Sequence, residues 1–309
     1  MLTLAHVTRR YGSLTAVDDV SLRLPAGARH AVIGPNGAGK TTLLNLVAGT
    51  ERPDAGRILL AGPEPRSAAG RPSGASRESS ASRESGAESA PAAGGAGASG
   101  GLAVPADTDL TRATAARRSR LGVARSFQQP SVIAELSAAD NVVLAGWRHH
   151  RSARGGLLRP RRHRHLRDLA LHHLDAVGLA GVADEPAGAL SYGQRRMLDL
   201  AAALAGRPRL LLLDEPTAGL TDRDLGRLVD LLRGVPAQVA LLLVEHHIEV
   251  MAELADTVTV LAAGRVLVHG GVREALDHPQ VREVYLDAGP AAAGAPAAGG
   301  SAPGTGARE

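Results

Sequence analysis

The chain has 309 residues, with 35 basic against 31 acidic side chains and a formal charge of +4. That length accommodates one large or two small packed domains, and so modest a charge does not point to nucleic acid. It has no cysteine, which excludes a disulfide framework, a zinc-thiolate site, an iron–sulfur cluster and a cysteine nucleophile, and no run of about 18 apolar residues suggests a membrane span.

The first twelve residues lack the hydrophobic stretch of a secretion signal, so a cytoplasmic location is expected. Residues 2–8 alternate like a strand, and Tyr11 follows them. Residues 28–33 form an apolar, β-prone run that ends at Gly34-Pro35-Asn36-Gly37-Ala38-Gly39-Lys40-Thr41-Thr42, and residues 42–48 have an apolar helix pattern. Strand, glycine loop and helix in that order bring successive amides and the positive end of the helix dipole to one point, where a triphosphate can sit. Lys40 would then reach the β- and γ-phosphates and Thr41 would ligate Mg²⁺. The plainer alternative is a glycine turn before a core helix. Against it, 34 of the 35 basic residues are Arg and Lys40 is the single Lys, as expected where a compact ammonium is required and a planar guanidinium cannot substitute.

After a strand at 57–60, residues 61–101 contain no Val, Ile, Leu, Met, Phe, Tyr or Trp and repeat Ser-Arg-Glu-Ser. Such a segment cannot offset its ordering entropy and is expected to be a disordered surface loop, with a phosphorylated or partner-binding linker as the alternative. Residues 102–128 return to the core and end in Arg125-Ser126-Phe127-Gln128, which holds the only Phe. A helical subdomain is expected over about 130–189, with periodic stretches at 142–147 and 166–179. Within it, residues 148–167 carry eight Arg and four His and no acid; a metal site, a solvated helical face and a surface for acidic loops or anionic headgroups are the three readings. Leu190-Ser191-Tyr192-Gly193-Gln194-Arg195-Arg196 precedes a helical rhythm at 197–205. Next comes Leu210-Leu211-Leu212-Leu213-Asp214-Glu215-Pro216, a fully buried strand with two carboxylates at its end that need a cation. Asp214 would hold Mg²⁺ through its water shell, and Glu215 would orient and deprotonate the attacking water; the alternative is a strand ending in solvated acids. A strand at 240–244 leads into Glu245-His246-His247, and the tail from 288 to 309 again has no core-forming residue.

With Ser191 of the 190–194 motif 23 residues ahead of Asp214, the chain resembles the ATP-binding subunits of ABC transporters. The resemblance implies an α/β fold, a P-loop NTPase core with an antiparallel β-subdomain and an inserted helical subdomain, spanning residues 1–287. It implies that residues 34–42 hold the phosphates of ATP and that Tyr11 stacks on adenine, although a core or turn tyrosine is the alternative. Gln128 would contact Mg²⁺ and the attacking water and hinge toward a membrane partner, and His246 would touch the γ-phosphate. Ser191, Gly193 and Gln194 lie in the signature, where Ser191 and the Gly193 amide can donate to a phosphate across the interface of a head-to-tail dimer. Two departures stand out: Tyr192 replaces a signature glycine and is expected to point away, and Thr221 replaces the usual Asp of 218–221. The flavour of these motifs, with the 278–286 ending, is similar to branched-chain amino acid importers of the LivG type, whose urea and amide relatives are close. The partners implied are integral-membrane permease subunits, a second ATP-binding subunit and an extracytoplasmic solute-binding protein, with no nucleic acid, and the chain would sit at the inner face of the cell membrane. A soluble, non-transport ABC ATPase is the rival from another class.

Overall fold

The computed structural model describes residues 1–61, 107–126, 129–147 and 160–287. Nearly all of the 61–101 insertion, Gln128, most of the Arg/His-rich run at 148–167 and the tail from 288 lie outside these residues. Strand β1 (Leu2–Tyr11) pairs antiparallel with β2 (Leu14–Leu24), from Leu2 opposite Leu24 to Tyr11 opposite Leu14. It runs three residues beyond the expected 2–8, because Arg9 and Arg10 keep the ladder going opposite Val17 and Thr15. Then follow β3 (Arg29–Ile33), α1 (Lys40–Ala48), β4 (Ala55–Leu60), the short β5 (Thr108–Asp109), α2 (Ala115–Arg120) and β6 (Val123–Ser126). Helices α3 (Ala138–Gly146), α4 (Pro160–Ala176) and α5 (Tyr192–Ala205) come next, and β7 (Leu210–Asp214), α6 (Asp222–Arg233), β8 (Ala240–Val244) and α7 (Ile248–Leu254) after them. The chain continues through β9 (Thr257–Ala262), β10 (Arg265–Gly271), α8 (Val272–Asp277) and α9 (Pro279–Asp287).

Two sheets result. One is antiparallel in the order β2-β1-β4-β5. The other runs β10-β9-β3-β8-β7-β6, parallel from β9 to β6 with β10 antiparallel at its edge. The alternation of a strand explains why β7 and β8 are apolar at every position before their ends. Leu210, Leu212, Leu242 and Val244 pack with α1 and the antiparallel sheet. Their neighbours Leu211, Leu213, Leu241 and Leu243 pack on the other face with α3, α4, α5 and α6. Each such leucine, fully buried, stabilises the fold by about 2 kcal/mol.

This packing sets the site's geometry. β3 and β7 flank β8, so the loops leaving all three strands emerge side by side at the carboxyl edge of the parallel sheet, where α/β folds place their ligands.

Two buried polar side chains brace this frame. Arg118, fully buried in α2, donates to the carbonyls of Leu46 and Val47 at the end of α1 and to those of Leu110 and Ala113. Burial lowers its pKa to about 10, which leaves it charged at neutral pH. His30 on β3 has its two ring nitrogens 2.7 Å from Thr257 Oγ1 and 2.9 Å from Thr259 Oγ1. Burial, and secondarily His269, hold its pKa down to about 3. No helix among the described residues is long and apolar enough to cross a membrane.

Candidate functional site

The glycine loop leaves β3 and turns into α1 at Gly39. Its φ of +97° favours glycine, and so does its position, since an added Cβ would lie only 2.1 Å from the Ala16 carbonyl oxygen. No side chain caps this helix and no acid lies in its first turn, so its leading amides and dipole are left for an anionic ligand. Gly37, at φ +82°, has nothing within 4 Å on its Cβ side, which keeps the loop's outer surface open. Lys40 opens α1 yet is only 6% exposed, because Nζ folds back to donate to the carbonyls of Gly34 at 2.8 Å and Pro35 at 2.9 Å. Burial lowers its pKa, and the nearby charges of Glu215 and Asp214 oppose that shift.

A cleft of about 300 Å³ opens over the loop, lined by Tyr11, Leu14, Ala16, Asn36, Gly37, Ala38, Gly39, Lys40, Thr41, Thr42 and Glu215. It brings together the tyrosine, the loop and the acid, three motifs separated by more than two hundred residues of chain. Tyr11 is half exposed; Arg9 lies 4.6 Å from its ring centroid and its hydroxyl donates to Glu51. Gly34 and Pro35 stand behind the cleft, where their carbonyls hold Lys40. Ser191, Gly193 and Gln194 do not line it.

Glu215 sits just past β7 with φ +48°, a left-handed conformation costly for a non-glycine residue. Arg196 on α5, itself buried, opposes that cost by donating to the carbonyls of Asp214, Glu215 and Pro216. The Glu215 carboxylate lies 2.6 Å from Nε2 of His246 through Oε1. The side chain expected to meet the γ-phosphate thus contacts the expected base. Glu245, which is buried, accepts from the Thr217 amide at 3.1 Å, from the Thr217 hydroxyl and from the His246 amide at 2.7 Å. Asp214 is buried beneath the cleft and accepts from Arg125 Nη2 at 2.9 Å. With the Thr41 hydroxyl it offers hard oxygen donors, the kind Mg²⁺ selects.

The family model for ABC transporters matches residues 17–87 and 95–218. The chain belongs to the ABC transporter family. It is 30% identical to the high-affinity branched-chain amino acid transport ATP-binding protein BraF of Pseudomonas aeruginosa, over 93% of this chain and 97% of that protein. It is 31% identical to the ribose import ATP-binding protein RbsA 1 of Rhizobium johnstonii over 84% of this chain, but spans only 41% of that relative. A dimeric ATP-binding cassette in a post-hydrolysis state with ADP and Pi shares the fold, with a TM-score of 0.65 at 22% identity, covering 88% of this chain and 99% of that one.

In this ABC chain the 190–194 motif forms the start of α5. Ser191 is the N-cap: Oγ accepts from the Gln194 amide at 3.2 Å while Gln194 Oε1 accepts from the Ser191 amide at 2.9 Å, a complete capping box. Oγ accepts in the cap, so its hydroxyl hydrogen is left to donate. The Tyr192 ring, expected to point away, lies over Gly219, where an added Cβ would be 2.9 Å from Cε1. Thr221 serves as N-cap of α6. Asp199 of α5 accepts from the Ser126 hydroxyl at 2.7 Å and from the Ser131 amide at 3.1 Å, which ties both flanks of the segment around Gln128 to the signature helix.

Four residues of the site have no assigned role in the sequence reading: Asn45, Arg125, Arg196 and Glu245. Arg125 and Arg196 stand inside quoted motifs, and their burial was the missing information. Asn45 carries a faint signal, as the one polar residue among the apolar positions of 43–48.

Proposed function

We propose that this chain binds and hydrolyses ATP as the nucleotide-binding subunit of an importer for a small polar solute, with branched-chain amino acids as the first candidates. The observation that carries the reading is the one cleft shared by Tyr11, the Gly37–Thr42 loop and Glu215, with His246 bonded to that acid. Lys40 would exchange its two carbonyl partners for β- and γ-phosphate oxygens, and Glu215 would take a proton from water as the oxygen attacks the γ-phosphorus and the bond to the β-phosphate oxygen breaks, giving ADP and phosphate. His246 would hold the carboxylate in line. Magnesium, held by Thr41 and through its water shell by Asp214, would neutralise developing charge on the phosphates; Gln128, outside the described residues, is assigned to the same group. Ser191 and the Gly193 amide would complete the site of a second subunit, because they lie outside this chain's own cleft.

Replacing Glu215 by Gln tests this reading. ATP binding is expected to persist while turnover falls by at least about 100-fold; steady-state hydrolysis near the parent rate in that variant would remove Glu215 as the base.

The solute assignment is supported by the end-to-end match to BraF, against 41% coverage of RbsA 1. In this reading the chain would sit at the cytoplasmic face of the membrane, against integral-membrane permease subunits, with a solute-binding protein on the far side. Uptake of labelled leucine, urea and ribose by the reconstituted transporter would separate the branched-chain reading from the amide and sugar alternatives. Recovery of the chain from cells in a stable complex that contains no permease subunit would favour the soluble alternative.

A further inference from the structure

Away from the nucleotide cleft, four polar side chains on three adjacent strands form a relay that leads from the surface into the parallel sheet. His269 on the edge strand β10 is exposed, and its Nδ1 lies 2.9 Å from Oγ1 of Thr259 on β9. The same oxygen lies 2.9 Å from Nε2 of His30 on β3, and Nδ1 of His30 lies 2.7 Å from Oγ1 of the half-buried Thr257. Because β3 runs directly into Gly34, the relay ends in the strand that delivers the glycine loop.

The hydrogens available fix how the relay works. Thr259 is fully buried, and its hydroxyl has no other partner among the described residues. With one hydrogen to give, it donates to one imidazole and accepts from the other. His30 Nε2 and His269 Nδ1 therefore cannot both carry a hydrogen, nor both lack one, without orphaning a buried group. Burial, and secondarily His269, hold the pKa of His30 down to about 3, so at neutral pH it carries a single ring hydrogen. While His269 is uncharged, the relay runs outward: Thr257 donates to His30 Nδ1, His30 Nε2 donates to Thr259, and Thr259 donates to His269. That setting leaves the remaining hydrogen of His269 facing water, whereas the reverse would turn the hydrogen of half-buried Thr257 out of the relay. A second proton on His269 makes both its nitrogens donors. Thr259 must then accept from it and turn its own hydrogen to His30.

We propose that Thr257, His30, Thr259 and His269 are a proton-set switch, in which protonation of His269 at the surface reverses every bond of the relay and moves the ring hydrogen of buried His30 from Nε2 to Nδ1. One proton is taken from solvent. The hydrogens of Thr257, His30 and Thr259 each shift one place toward His269, where the charge resides, and water re-protonates the Thr257 oxygen. β3 stays clamped to β9 in both settings, with Thr257 a donor in one and an acceptor in the other. Around the relay, Arg23 of β2 lines the hollow beside His269, and Glu274 of α8 lies against Gly270. Arg273 of α8 is exposed, Arg282 of α9 is paired with Asp277, and β8 brings only apolar residues. Arg29, on the other face of β3, donates to the carbonyls of Leu232 and Arg233. The charge that acts on His30 is that of His269. No residue of the nucleotide cleft takes part, so the switch does not rest on the ATP reading.

The test is long-range ¹H–¹⁵N NMR of the full chain with labelled histidines, where each ring nitrogen's shift reports whether it carries a hydrogen. His30 and His269 are assigned by the signals lost in His30→Gln and His269→Phe. As pH is lowered through the titration of His269, His30 should stay neutral while its Nε2 and Nδ1 exchange shifts, with the midpoint of His269. In His269→Phe the hydrogen of Thr259 has only His30 to go to, so His30 should keep its own on Nδ1 throughout. Thr259→Val, close in shape, cuts the relay: His269 should still titrate and His30 should no longer respond. Should Thr259→Val not fold, His269→Phe, at an exposed position, decides alone. A His30 tautomer that is unchanged through the titration of His269, that changes with another midpoint, or that still follows pH in His269→Phe or Thr259→Val would overturn the proposal, as would a second proton on His30 over that range.

Discussion

The helix that follows the glycine loop and the helix that carries the signature have one architecture and opposite finishes. Both α1 and α5 begin with no acid in the first turn, and a buried arginine contacts backbone carbonyls at or beside each: Arg118 reaches the end of α1, and Arg196, within α5, reaches the loop after β7. Yet α1 starts at an uncapped glycine with its lysine turned inward, whereas α5 starts at an exposed serine locked in a complete capping box. The first is, in the proposed reading, an unfinished anion site that a ligand would complete. The second is already satisfied within its own chain and can be presented intact to another molecule. An electropositive helix end is therefore not one kind of feature: what caps it decides whether it waits for a ligand or serves as a ready-made surface.

The comparison can be broken at the anchors, where the largest effects are expected. Arg118→Met leaves four carbonyls in α1 and its surroundings without their donor and should lower unfolding stability by about 3 kcal/mol or more in urea titrations. Arg196→Met should cost a similar amount and in addition lower kcat for ATP hydrolysis, because it releases the backbone of Glu215; equal kcat in parent and variant would separate the anchor from the acid. Next is Lys40→Arg. A guanidinium cannot take the place of an ammonium between two loop carbonyls, so kcat/KM should fall by about 100-fold with the fold retained by circular dichroism; a neutral outcome would mean that the cradle does not need its shape.

Acid should weaken the strand that delivers the cradle. His30 has a folded-state pKa of about 3 against an ordinary 6.5. A depressed pKa means that its stabilising contribution is complete above about pH 6.5 and is lost progressively as pH falls toward 3, by about 2 kcal/mol at pH 5. Urea midpoints at pH 7 and pH 5 should differ more in the parent than in His30→Val, and parallel shifts would dismiss His30 as the cause. The smallest effect sharpens the other side of the comparison: Ser191→Ala removes a cap worth about 1 kcal/mol and should leave the ATP dissociation constant of the isolated chain within about twofold while lowering hydrolysis by the assembled dimer.

Much of this arrangement was legible in the sequence where local chemistry and packing agree. The strand at 240–244 has the bounds expected from its apolar run, and the strand inside 210–216 stops at Asp214, because buried β-strands need little but apolar side chains. The loop at 34–39 was legible because glycine and one lysine are required by backbone conformation and charge. β2 carries no clear strand signal, since its half-exposed pattern of residues such as Thr15, Asp18 and Asp19 resembles a loop until β1 pairs with it. Arg125, Asn45 and Arg196 were illegible for another reason. Their partners lie between 6 and 89 residues away in the chain, and no periodicity reports which buried carbonyl or carboxylate a guanidinium will find.

Glu245 has a consequence of its own. A single carboxylate grips the Thr217 backbone with one oxygen and the His246 backbone with the other. The segment after the acid and the segment bearing the imidazole are thereby yoked, and neither can be displaced without dragging its fellow. In the proposed reaction, a tug on either one would be felt on both sides of the Glu215–His246 pair in the same stroke.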